Sequence, residues 1–551
     1  MRFYTNVCRI GNNLCVREQT ESGPSKFKIR YEPKLYIKSD KESEFKTLYG
    51  DYASEIVLDT MSDSKEFVKK YKDIRGFEIY GQTDHVLAYI NETYPANMKF
   101  DSKLISAWSI DIETRLPVSS KYNDSHVVQL QVGPDLYQDI KLSDIRRKSR
   151  INDGEVFVID ETTGQLSKYE HSCYYPAISG FPDVDTANVE ITLITIQSLN
   201  TKHCFTFAAK AYDGAPIQEM SYMNCGSEKN MLREFINFWV NKNVEVITGW
   251  NIEKFDIPFI ARRVYDVCGE DWMKKLSPWG VVEFKKVRTA GFGGEEHTVV
   301  NIAGVSALDY LLLYKKFVFV KHESYSLGHI AQEELGTTKL DHSQFKNFNE
   351  FQDKGWSLFV RYNIIDTSLV SQLEDKLKLI ELAYTLSYLA RINYANVYGP
   401  VKMWDAIIHN ELKQDKIVIP LKQADAGSGE SIEGAYVKDP TPGFKDWVVS
   451  LDATSLYPSI MMTLNLSPET YLGQSDMNLE LLLAGKQVMD VPAGEAWAPS
   501  GARYSTKKRG IIPDLIEQYM AKRKSAKRAM LTKEQELENI KIELSKRNLK
   551  A

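Results

Sequence analysis

Two carboxylates, Asp111 and Glu113, stand two residues apart in the short run "AWSIDIET". Side chains at i and i+2 of a strand share one face. On a buried strand two such acids repel each other unless a cation lies between them. An edge strand with a solvated acidic face is the ordinary alternative, and the pair by itself leaves both readings open. Further along, "TGWNIEKFDIPFIARR" supplies Asp256, two residues before Pro258, a setting that suits the first turn of a helix. Taken alone, that aspartate reads as a helix cap. "RYNIIDTSLV" supplies Tyr362 and Asp366, four apart and so stacked on one helical face. A fifth acid, Asp452 in "SLDATSLYPSI", stands by itself. Val448, Val449 and Leu451 read as a short buried strand with this acid at its end, where a carboxylate is costly unless something pairs with it.

The elements that must position these groups follow from hydrophobic periodicity. Residues 1 to about 106 alternate the β-like runs "RFYTNVCRI", "FKIRYEPKLYIKS" and "HVLAYINETY" with one helical stretch, "SDSKEFVKKYKDI". That pattern predicts a small α+β domain. From Ala107 the pattern changes. "AWSIDIET" is a strand, "VEITLITIQSL" and "HCFTFAA" a strand pair, "EKNMLREFINFWVNKN" an amphipathic helix and "VEVITGW" a buried strand. "PFIARRVYDVCG" is helical again, and strands alternating with helices predict an α/β domain with a mainly parallel core. Between the first two strands lies a polar stretch, Arg115–Asn188, with a hairpin signal of its own in "EVFVIDETTGQLSKYE". It reads as an inserted lobe. Residues 375–415 are helix-rich, "QADAGSGES" is a linker, and a β-rich segment begins at Gly434. A long charged helix runs from about Pro513.

Bulk properties narrow the class. A chain of 551 residues is too long for one core and predicts two to four domains. The net charge of −5 argues against a uniformly basic binder of nucleic acid. The basic residues are clustered, however. From Arg503 to Ala551 there are 14 lysines and arginines against six acids. The six cysteines form no C-x-x-C pair and read as free thiols in a reducing compartment. No apolar run is long enough to span a membrane, and "MRFYTNVCRIGNN" lacks the apolar core of a signal peptide, so an intracellular protein is expected.

Taken in order, the acids form D-x-E on a strand, N-x-x-x-F-D after a strand and Y-x-x-x-D on a helix. Asp256 follows Asp111 by 145 residues and Asp366 follows Asp256 by 110. This order resembles the three exonuclease motifs of the DnaQ-like 3′–5′ exonuclease family. The resemblance implies a ribonuclease H-like domain with two metal ions, Mg²⁺ or Mn²⁺, held by Asp111, Glu113, Asp256 and Asp366. Two ions roughly 4 Å apart activate a water and stabilise the leaving oxygen of a phosphodiester, and hard cations prefer oxygen ligands. Tyr362 is expected to orient the attacking water.

"DATSLYPSI" in turn resembles motif A of family B DNA polymerases. With "GWNIEKFDIPF", "LDYLLLYKKF", "SYSL", "YNIID" and "KMWDAII", the likeness extends over nearly the whole chain and is strongest to replicative polymerases of T-even-like bacteriophages. It implies that Asp452 and the carbonyl of Ala453 bind the metals of a second active site, again two ions. Ser455 and Leu456 would touch the triphosphate of a dNTP through their backbone amides, and Tyr457 would pack under the deoxyribose. Arg523 and Lys527, four apart on the basic helix, would bind the triphosphate. Read through the resemblance, the domains are 1–106, with 376–423 packing on it; the exonuclease at 107–375, with an insertion at about 115–188; a partial palm at 424–509; and partial fingers at 510–551. The expected surroundings are DNA primer–template and single-stranded DNA, in the cytoplasm of an infected host cell.

Two departures stand out. The segment linking exonuclease and palm reads "IEGA", with Ile432 where the family has tyrosine. The second fingers motif, K-x-x-x-N-S-x-Y-G, and the D-T-D turn carrying the second palm aspartate do not occur. The expectation is therefore the N-terminal part of a polymerase, needing a complementary C-terminal chain for polymerisation and meeting any sliding clamp through that missing half. A split gene and a truncation both fit. The rival functions are a stand-alone 3′–5′ exonuclease and a non-enzymatic nucleic-acid-binding replication module.

Overall fold

The computed structural model describes residues 1–117, 181–288, 296–337, 339–345, 347–421 and 437–546, together with the backbone of five strands between 127 and 175. The chain divides into two compact units, Met1–Tyr31 with Val86–Met403, and Glu32–His85 with Trp404–Ala551.

In the first unit, β1 (Phe3–Ile10), β2 (Asn13–Thr20) and β3 (Gly23–Arg30) form an antiparallel meander. Its main element is a six-stranded sheet of β4 (Ala107–Thr114), β5 (Ile191–Ser198), β6 (Cys204–Ala208), β7 (Met220–Asn224), β8 (Val246–Gly249) and β9 (Ser306–Asp309), in the order β7-β6-β5-β4-β8-β9. β4, β8 and β9 run parallel, β6 and β7 run parallel, and β5 is antiparallel to both β4 and β6. The sheet is mixed because the short β5–β6 connection permits only a hairpin.

The apolar positions of these elements explain their packing. α1 (Glu228–Asn241) starts at Ser227, whose side chain accepts the amide of Asn230, and it buries Met231, Leu232, Phe235, Ile236 and Trp239 on one face. These residues share a core with Ile110 and Ile112 of β4 and with Phe259 and Ile260 of α2 (Asp256–Cys268). Burying each such side chain contributes about 1.5–3 kcal/mol. β4 is therefore held through its isoleucines, and its alternate residues, Asp111 and Glu113, face the other way. α3 (Tyr310–Phe317), α4 (Leu327–Leu335), α5 (Trp356–Leu377) and α6 (Leu379–Ala390) follow.

The expected boundary at residue 106 differs from this division. Residues 1–31 join the first unit because Arg17, 2% exposed, ties β2 to the sheet's far loops. Its guanidinium donates to the carbonyls of Val244 (2.7 Å), Gly304 (2.7 Å) and Asn243 (2.9 Å) and lies 3.8 Å from the buried Glu245. "HVLAYINETY" is also a correction, since it forms a helix, His85–Thr93. Residues 87–91 and Tyr94 are all buried, a run without the two-residue alternation of a half-exposed strand.

In the second unit, Ile417–Val418, Phe45–Thr47, Tyr52–Val57, Lys34–Lys38 and Ile79–Tyr80 form a five-stranded sheet in that order. α7 (Leu456–Thr463), a three-stranded sheet (Tyr471–Gln474, Ala502–Ser505, Glu495–Trp497) and α8 (Ile511–Lys546) complete it.

The buried strand expected at Val448–Asp452 is absent. Val448 is 78% and Leu451 92% exposed, Asp452 is exposed, and these residues pair with no strand among the described residues. Apolar side chains make a strand only where a partner supplies hydrogen bonds and a surface to cover them. The inserted hairpin does form, with Glu155–Ile159 antiparallel to Leu166–Glu170. The linker at 423–431, the "IEGA" segment and Cys173 lie outside the described residues, and the other five cysteines are free thiols.

Candidate active site

Four of the five acids converge in the first unit. Asp111 and Glu113 project from the middle of β4, opposite Thr195 and Leu193 of β5. Asp256 arrives from the neighbouring strand. β8 ends at Gly249, the chain turns through Trp250–Phe255, and Asp256 opens α2. It does not cap that helix as the lone-residue reading suggested. Instead its Oδ1 accepts the amide of Ile112 at 3.0 Å, the peptide between Asp111 and Glu113. Asp366 comes from α5, and the expected i, i+4 stacking with Tyr362 holds, because one ammonium, that of Lys339, touches both side chains. Lys339 Nζ donates to the Tyr362 hydroxyl at 3.3 Å and is ion-paired to Asp366.

The electrostatics follow from burial. Asp111 sits well above the usual carboxylate range because burial disfavours its charge and Glu113, Asp256 and Asp366 repel it. Burial and the Asp366 charge lift Glu113 to about 8. Burial lifts Asp256 to about 7, against the pull of the Ile112 amide. Asp366 is also raised by burial, and Lys339 offsets part of that rise. Burial works against the ammonium of Lys339, but the Asp366 charge more than compensates and its pKa is raised.

The motif reading missed three residues. The charge of Lys339 opposes the rise of both Asp111 and Glu113, yet a lone lysine in "GTTKLDH" gives no signal. Asn363, fully buried inside "YNIID", donates its Nδ2 to Asp111 Oδ2 at 2.6 Å. Its place one turn from Asp366 on a helix face could have marked it. Asp309, the third, lies in the "LDYLLLYKKF" run.

The donor set suits a hard divalent cation. All four ligand candidates are oxygen donors, the cluster carries more negative than positive charge, and Asp366 Oδ1 and Asn363 Oδ1 are buried without a hydrogen-bond partner. The acids are not tightly gathered. Among the described residues no group of three or more His, Cys, Asp or Glu is close enough to hold a metal ion.

The second set is arranged differently. Asp452 and Ala453 are exposed, Ser455 takes a left-handed conformation (φ 54°) just before α7, and Leu456 and Tyr457 are exposed at its first turn. Arg523 and Lys527 lie one turn apart on the exposed face of α8. Among the described residues Asp452 makes no hydrogen bond or ion pair, so the anomaly of a buried lone acid disappears with the strand.

Residues 77–330 match the description "DNA polymerase family B, exonuclease domain", and residues 401–550 match "DNA polymerase family B". The chain belongs to DNA polymerase family B. This family B chain is 31% identical over 545 residues to the DNA-directed DNA polymerase of Enterobacteria phage T4, covering 98% of the chain and 55% of that protein. It is 30% identical over 558 residues to the polymerase of Escherichia phage RB69, covering 99% and 56%. A likeness to the DNA polymerase delta catalytic subunit of Caenorhabditis elegans, 27% over 349 residues, covers 62% of the chain and 31% of that protein. The family B chain thus spans just over half the length of its phage relatives. No helix among the described residues is long and apolar enough to cross a membrane.

Proposed function

We propose that the first unit is a two-metal 3′–5′ exonuclease that proofreads DNA, and that the second unit contributes part of a polymerase palm and fingers. The observation that carries the exonuclease reading is the buried cluster of Asp111, Glu113, Asp256 and Asp366, whose mutual repulsion one lysine only partly offsets. The sheet order, with β4 central and β5 antiparallel, supports a ribonuclease H-like reading. Two ions of the Mg²⁺ or Mn²⁺ kind would be held by the four acids. When bound, such a pair supplies an activated nucleophile and charge stabilisation for the departing oxygen.

The chain's own residues do the rest. The Ile112 amide holds Asp256 against β4, the Asn363 amide orients Asp111, and Lys339 fixes Asp366 and the Tyr362 phenol in one relation. A phenol so fixed can orient a water towards a bound phosphodiester.

The phage relatives are DNA-directed DNA polymerases and nearly twice as long. DNA synthesis from dNTPs on primer–template is therefore proposed for this chain only together with a polypeptide corresponding to their remainder. Asp452 and Ala453 would then serve its metals, Ser455, Leu456 and Tyr457 its nucleotide, and Arg523 and Lys527 the triphosphate. A sliding clamp would be met through that remainder, and the setting would be the cytoplasm of an infected cell. The purified chain should degrade single-stranded DNA from the 3′ end when Mg²⁺ or Mn²⁺ is added, and Asp111→Ala or Asp256→Ala should abolish this. Undiminished degradation by either variant would overturn the assignment.

A further inference from the structure

The run "LDYLLLYKKF" has a carboxylate, Asp309, that the proposed chemistry does not use. It is 1% exposed and bound by no cation among the described residues. Four backbone amides satisfy it instead. Oδ1 accepts Leu311 at 2.9 Å, Leu312 at 3.3 Å and Asn251 at 3.2 Å, and Oδ2 accepts Glu253 at 3.0 Å. The first two bonds cap α3, which is ordinary work for an aspartate. The other two reach across from β9 to the loop after β8, where Asp309 is paired in register with Gly249. A helix cap has no need of them.

That loop is also held at its start, where Trp250 Nε1 donates to the Tyr325 carbonyl at 3.1 Å. Asn251 is held in the left-handed region at φ 66°, a conformation that needs external support. Ile252 is anchored in the core, and the amide of Ile257 returns to its carbonyl at 3.0 Å. Asn251 and Glu253, on either side of Ile252, are the two residues that Asp309 grips. Three residues later the chain reaches Asp256. We propose that Asp309 is a positioning residue for the exonuclease, which sets Asp256 against β4 by holding the amides of Asn251 and Glu253. This rests on the exonuclease reading above.

Asp309→Asn separates the two tasks. Its remaining oxygen can still accept Leu311, Leu312 and Asn251, so the α3 cap survives. The new NH₂ faces the Glu253 amide, donor against donor, and that half of the grip is lost. Single-stranded DNA degradation should fall about tenfold or more in kcat, since small misplacements of a reacting group cost factors of this order. The Mg²⁺ concentration for half-maximal rate should rise several-fold, while KM for DNA changes little. Asp309→Ala, which removes cap and grip together, should melt lower and show the same kcat loss well below its melting temperature. Wild-type kcat and Mg²⁺ dependence in Asp309→Asn, beside inactive Asp256→Ala, would reduce Asp309 to a helix cap and overturn the inference alone. Active Asp256→Ala would instead overturn the exonuclease reading, and this inference with it.

Discussion

Removing one of the four acids should make the metal-free protein more stable, and Asp256→Asn is the cleanest test. The asparagine keeps an oxygen where Asp256 Oδ1 accepts the Ile112 amide, so the bond to β4 is retained. What is lost is the buried charge. Burial raises the Asp256 carboxyl from 3.8 to about 7, which costs the ionised form about 4 kcal/mol at neutral pH, at 1.36 kcal/mol per tenfold change. The sign follows from linkage. Folded Asp256 binds its proton more tightly than the unfolded chain does, so its stabilising share is fully present below about pH 4 and lost as pH rises through about 7. The amide NH₂ that replaces one carboxylate oxygen is itself buried and costs part of this, leaving about 2–4 kcal/mol. At about 2 °C per kcal/mol, Asp256→Asn should melt about 4–8 °C above the unmodified chain in EDTA at pH 8, and by less than half as much at pH 5. Equal melting at pH 8, or the same gain at both pH values, would refute the electrostatic account.

Lys339→Met strips the cation from Asp366 and Tyr362 and should cost about 1–3 kcal/mol at pH 8 but less at pH 5, by chemical denaturation; a pH-independent loss would count against a charge-balancing lysine. Gly249→Ala would bring a Cβ to 2.4 Å from both the Ile110 carbonyl oxygen and Ile252 Cγ2, so it should lower stability by about 1–3 kcal/mol and slow DNA degradation at the same time. Arg17→Met strands buried carbonyls and Glu245, and the melting temperature should fall by an amount equivalent to about 3 kcal/mol or more.

Much of the first unit was legible because local pattern and tertiary setting agree there. β4 alternates isoleucines with acids, α1 repeats its apolar face, and Tyr362 and Asp366 fall on one side of α5. The short run at His85–Thr93 was not, since apolar stretches of that length carry too few repeats to separate helix from strand. Val448–Leu451 has strand-forming residues, but a strand is a property of a pair. The supports of the site were hidden for another reason. Lys339, Asn363 and Asp309 reach it through contacts between distant segments, and a single residue in a sequence has no period to betray it. The N-terminal strands likewise belong with residues more than 200 positions away.

That last pairing has a consequence during synthesis. Arg17 finds its carbonyl partners 227 and 287 residues downstream. At about 5–20 residues per second, a ribosome takes tens of seconds to deliver them. Until then β2 presents Leu14, Cys15 and Val16, all fully buried in the finished protein, with nothing to cover them. The β1–β2 hairpin must therefore wait for the exonuclease core, and through that interval Leu14, Cys15 and Val16 lack the segments that Arg17 ties to them in the finished fold.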